Sequence, residues 1–130
     1  MSTESFGVKQ SLKAAADYSD KQYYLMYISA AETVTICGAA GTAIGIMYGK
    51  PEANVYGDVL TACGVFAKVI TGDVVSAGNL LESDSSGRAV AFTYDNDGIS
   101  ETYSIGRAIT ASTAANGIIT VLTGFCLAGK

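Results

Sequence analysis

The chain contains no histidine, no tryptophan, one proline and three cysteines among its 130 residues. Each scarcity removes a class of function. Without histidine, the side chain that serves most often as general base and as metal ligand is missing. Without tryptophan, the aromatic platform favoured for stacking on sugars is absent, and no aromatic-rich cleft replaces it. Cys37, Cys63 and Cys126 have no C-x-x-C spacing and lie in the runs TICGAA, LTACGVF and TGFCLA. They read as buried free thiols of a reducing compartment, because a nucleophilic or zinc-bound cysteine normally leans on histidine. No long hydrophobic run exists. The longest, IITVLTGFCLA, falls short of the ~20 residues that span a bilayer. It reads as a fully buried strand with a glycine break. The start, MSTESFGVKQ, has neither the charged nor the apolar region of a secretory signal.

Charge is scarce as well. Charged residues make up 15% of the chain, against about 25% in ordinary soluble domains. The net charge is −4, and no two of the eight Lys and Arg are adjacent. Nucleic acid binding needs a clustered positive footprint, so neither nucleic acid nor membrane is expected as a partner. A surface this poor in charge, on a chain that is 49% hydrophobic, points to protein as the medium that part of it faces.

What is present is strand and turn grammar. Residues 1–20 are polar with scattered Phe6, Val8 and Leu12, and read as an extended N-terminal arm or a frayed end. From Lys21 the pattern is β to the end, giving a domain over 21–130. QYYLMYIS has strand composition. Glu32 to Cys37 alternates, with Val34 and Ile36 on one face and Thr33, Thr35 and Cys37 on the other. Ala43–Tyr48, Asp58–Cys63, Val65–Ile70, Asn79–Glu82, Arg88–Phe92, Thr102–Ile105 and a final stretch after Asn116-Gly117 follow as short strands. The turn Asp84-Ser-Ser-Gly87 makes a hairpin, with Gly87 free to take positive φ. Gly45 and Gly106 lie inside apolar strands, where glycine marks a bend or a close backbone approach. No stretch keeps a 3.6-residue period over three turns. The expected fold is mainly β: a small single-domain barrel or sandwich.

A search for chemistry is brief. Asp17 with Asp20 and Asp95 with Asp97 are the close carboxylate pairs. Asp95-Asn-Asp-Gly98 begins like a calcium loop, but its register is wrong and no Glu closes it, so turn chemistry explains it better. SDSSG has no base to activate a hydroxyl, and no glycine-rich loop runs from a strand into a helix. Neither a catalytic residue nor a metal or cofactor site is expected, so the chain does not read as an enzyme.

The order of the motifs, over about residues 18–125, resembles the small capsid decoration proteins of tailed bacteriophages, also called cement or head-stabilising proteins. The matching residues are Ile44-Gly45-Ile46, Pro51, Gly64-Val65, Lys68-Val69, Ala77-Gly78-Asn79, Asp84, Gly87-Arg88-Ala89, Ile105-Gly106, Ala108 and Gly117-Ile118-Ile119. The resemblance implies a β-tulip-like barrel without catalysis, attached to the outer capsid surface of the virion as a homotrimer after synthesis in the host bacterial cytoplasm. Its implied partner is the major capsid protein. It further implies that the arm reaches across neighbouring coat subunits, which makes Phe6, Val8, Lys9, Leu12 and Lys13 the candidate capsid-binding residues. The Gly72-Asp73 step and the Tyr-rich start depart from the family pattern and leave the binding register open. The competing reading is a small β-barrel module that binds a glycan or other ligand. A carboxylate hydrolase is the third.

Overall fold

The computed structural model describes residues 9–38, 42–92 and 103–127. These form ten strands and no helix. Five make a closed barrel in the order β1 (Lys9–Ala14), β3 (Thr33–Ile36), β2 (Leu25–Ala30), β4 (Gly45–Met47) and β5 (Tyr56–Leu60). The other five make an antiparallel sheet in the order β6 (Phe66–Ile70), β10 (Ile118–Leu127), β9 (Tyr103–Ala108), β7 (Leu80–Ser83) and β8 (Ala89–Ala91). The expectation of a mainly β fold holds.

β1 differs from the expectation. Lys9–Ala14 is a strand that closes the barrel, antiparallel to β5 and parallel to β3. Ala14 is fully buried and Tyr18 nearly so. Tyr18 donates its N–H to the Pro51 carbonyl, and its hydroxyl accepts the Ile36 N–H. The segment from Lys9 to Tyr18 is therefore built into the barrel and is no free arm, and Phe6 and Val8 lie outside the described residues. The polar composition of β1 has a physical reason. Only Leu12 and Ala14 turn to the barrel interior, while Lys9, Ser11 and Lys13 alternate to the outside.

Two cores hold the molecule. Ala14, Tyr18, Met26, Val34, Met47 and Val59 fill the barrel, one or more from each of its strands. Leu25, Ile46 and Leu60 point the other way, onto Val69, Leu81, Ile105, Ile119 and Val121 of the sheet. β2, β4 and β5 are thus buried on both faces where they pass between the two cores, at Leu25-Met26, Ile46-Met47 and Val59-Leu60, which is why these pairs are apolar without alternation. Each such Leu, Ile or Met contributes about 1.5–3 kcal/mol by leaving water.

Glycine sets two of these approaches. A Cβ on Gly45 would lie 2.5 Å from the Leu60 carbonyl oxygen, and one on Gly106, at φ +130°, would overlap the Leu122 carbonyl oxygen. Both strand glycines mark close backbone approach, as their sequence positions predict.

The hairpin behaves in part as expected. Gly87 has φ +81°, and Ser85 and Ser86 are exposed. The register pairs Ser83 with Ala89 and Glu82 with Val90, so Leu81 and Ala89 reach the core while Val90 shares the outer side with Leu80 and Glu82. Gly87 itself is buried, and its carbonyl accepts the Leu25 N–H from the barrel.

The edges of the second sheet are covered. On β6, the Lys68 N–H donates to the Tyr48 hydroxyl at 2.6 Å and the Ile70 N–H to the Tyr23 carbonyl at 3.1 Å. On β8, Thr71 bridges Ala89, and the Gly72 N–H donates to the Ala89 carbonyl.

Candidate functional site

The residues singled out from the sequence do not form one site. Lys9 lies with its ammonium 5.2 Å from the centre of the Tyr48 ring, a cation–π contact. Leu12 packs against the barrel core. Lys13 sits between Thr33 and Tyr56 on the barrel wall.

The carboxylates are used locally. Asp17 accepts the Ser19 N–H at 3.0 Å, and this bond holds its pKa below the usual carboxylate value. Asp20 meets Lys21 at 3.4 Å. Asp84 accepts the Ser86 and Arg88 N–H groups and the Arg88 Nε, while Arg88 Nη1 donates to Asn116. These bonds order the hairpin. Asp95 and Asp97 lie outside the described residues. Tyr48 has a raised pKa because burial penalises its phenolate, and Tyr56 because its hydroxyl donates to Glu32. Among the described residues no three His, Cys, Asp or Glu side chains are grouped to hold a metal ion. A shallow cleft of about 390 Å³, lined by Lys21, Tyr24, Ile36, Ser86 and Arg88, lies between the hairpin and the barrel.

The thiols follow the expectation in part. Cys37 is buried, but Cys63 is exposed in the loop after β5, where the chain leaves the barrel. The side chain of Cys126 lies outside the described residues.

The most distinctive surface is the outer face of the second sheet. Phe66 is 70% exposed, Ile118 56%, Ile109 43% and Leu122 39%. Register puts three of them on one face. Phe66 lies opposite Leu122, which lies opposite Arg107 on the next strand, and Ile118 lies opposite half-buried Ile70. Lys68 and Thr120 form the row between. The run IITVLTG is therefore not fully buried. Ile119 and Val121 enter the core, while Ile118 and Leu122 face outward. One signal for this face was in the sequence: FAKVI alternates, with Ala67 and Val69 inward, which leaves Phe66 beside Lys68 on the outside. In ITVL, apolar residues on both faces hid the exposed one.

No protein-family model matches the chain, and no curated protein matches it. Its fold is similar to a solved structure, the N base of head fiber gp8.5 in bacteriophage phi29. The TM-score is 0.69 over 90% of this chain and 93% of that one, at 17% sequence identity. The likeness is one of fold, and it runs through both the barrel and the sheet.

Proposed function

We propose that the chain is a structural protein of a phage head. It attaches to the outer surface of the assembled capsid and stabilises the shell by bridging major capsid protein subunits. The observation that carries this reading is the whole-length likeness to the base of a phage head fiber. The motif order shared with capsid decoration proteins supports it independently. Neither chemistry nor cofactor is needed. A clip that binds the expanded lattice and not its precursor stabilises that lattice by mass action, and many weak copies add through multivalency. In this reading the protein acts as a homotrimer, and the segment before β1, with Phe6 and Val8, adds an accessory contact. The same likeness favours a second reading, in which the domain is a platform on the head for a projecting appendage.

Mass spectrometry of purified virions of the phage that encodes the chain tests both. Hundreds of copies per particle, with heads that lose thermal stability when the protein is stripped, support the clip. A few tens of copies with no effect on head stability support the platform. Absence from the virion rejects both.

A further inference from the structure

The outer face of β6, β10 and β9 is apolar, exposed and charged with one sign. Its three strands hold Lys68 and Arg107 and no Asp or Glu. Both cations are exposed, and among the described residues neither has an ion-pair partner. Arg107, in the row of Leu122 and Phe66, instead donates its Nη1 to the Gly78 carbonyl at 3.1 Å, on the β7 side of that row. At the Ile118 end, the rim adds exposed Lys50, and the neighbouring Asp20 carboxylate is already engaged by Lys21. This positive face belongs to a chain of net charge −4.

We propose that this face docks the protein on the phage shell, and that the shell patch it meets combines apolar side chains with carboxylates. The inference rests on the head-attachment reading and deepens it by naming the surface. Charge selects the occupant. Two copies packed face to face would set Lys68 and Arg107 against each other, a like-charge contact that costs specificity and affinity. A carboxylate-bearing partner neutralises both cations while Phe66 and Leu122 lose water. Edge pairing is not an alternative route, because Tyr48, Tyr23 and Thr71 already occupy the sheet edges. The size fits a repeated contact. Three strands about 4.8 Å apart and five residues long at about 3.4 Å each give a footprint of roughly 240 Å², well below the ~800 Å² per partner of a standard stable interface.

The test titrates the full-length protein onto heads assembled without it and reads bound protein by co-sedimentation. Phe66→Ser and Lys68→Glu are the variants, and Ala53→Glu, on an exposed turn of the barrel, is the control. All three keep the wild-type melting temperature to within a few degrees, since each replaces an exposed side chain. Phe66→Ser and Lys68→Glu each weaken head binding about tenfold or more, as for central contact residues, while Ala53→Glu binds as wild type. High salt narrows the gap between Lys68→Glu and wild type. If wild type binds heads and both variants bind equally well, the face is not the docking surface, and the head-attachment reading survives. Variants that change the particle mass in light scattering but not head binding show that the face joins two copies, which also overturns the inference. A wild-type protein that fails to bind heads rejects the head-attachment reading and this inference with it.

Discussion

Gly87 joins the hairpin to the barrel, and replacing it tests that joint. Two penalties follow from its surroundings. Its φ of +81° is a conformation that an L side chain adopts at a cost of about 1–2 kcal/mol. A Cβ there would also lie 2.5 Å from Ile36 Cγ2 and 3.2 Å from the Leu25 carbonyl oxygen. The first neighbour is the end of a half-buried side chain and can yield. The second is backbone, and the bond it accepts from the Cys37 N–H holds it in place. Overpacking of this kind costs about 1–3 kcal/mol, so Gly87→Ala should destabilise by about 2–5 kcal/mol in total. Against a total stability of ~5–15 kcal/mol, that is large. Urea unfolding gives the free energy, and the melting temperature should fall by about 10 °C. A double mutant isolates the Ile36 contact. In an Ile36→Ala background the overlap with Cγ2 is gone while the positive φ and the Leu25 carbonyl contact remain, so Gly87→Ala there should cost less than in the parent. Ser85→Ala, at the exposed tip, should change stability by less than about 0.5 kcal/mol. A Gly87→Ala protein within that same margin of the parent would refute the joint as described.

Four further outcomes are expected. Thr71→Val removes a buried hydroxyl that accepts the Gly117 N–H and meets Ser112 Oγ and the Ala114 carbonyl; it should destabilise by about 1–3 kcal/mol in urea unfolding. Glu32→Gln should bring Tyr56 ionisation down toward the ordinary phenol value in a spectrophotometric titration. A pKa raised in the folded state stabilises below the unfolded pKa and loses that contribution as pH rises through the folded value, so the parent alone should show this alkaline loss. Cys63 should react with a thiol reagent in the native protein, and Cys37 only on unfolding. A chain starting at Tyr18 lacks β1 and should lose the barrel, with exposed Met26, Val34, Met47 and Val59 read as dye binding and aggregation.

Much of the fold was legible because strands and turns write themselves locally. FAKVI, LLES and the DSSG turn carry alternation and glycine placement that short-range sterics dictate. Val34 and Ile36 fall on one face, as their spacing predicts, with Cys37 turned to the other core. β1 was not legible, since KQSLKA has only two inward residues and owes its conformation to β3 and β5. Positive φ at Tyr23 was hidden too, because tyrosine is no turn former and only the seam between barrel and sheet holds it there. The outer face of the second sheet escaped for a different reason: where both faces of a strand are apolar, composition does not say which one meets water.

The place of β10 sets the order in which the protein can be made. It is the last described strand in the chain, yet it lies inside the sheet, between β6 and β9. A ribosome releases β1 to β5 first, with Leu25, Ile46 and Leu60 still uncovered on the outside of the nascent barrel. Their cover is complete only when residues 118–127, with Ile119 and Val121, have left the exit tunnel and threaded between two waiting strands. Folding of the sheet therefore waits on β10 and is slow, as such distant pairings are, and a chain interrupted before Ile118 exposes an apolar wall. Chains stopped upstream of Ile118 should accumulate as insoluble or degraded products, so only chains that contain β10 reach the soluble pool.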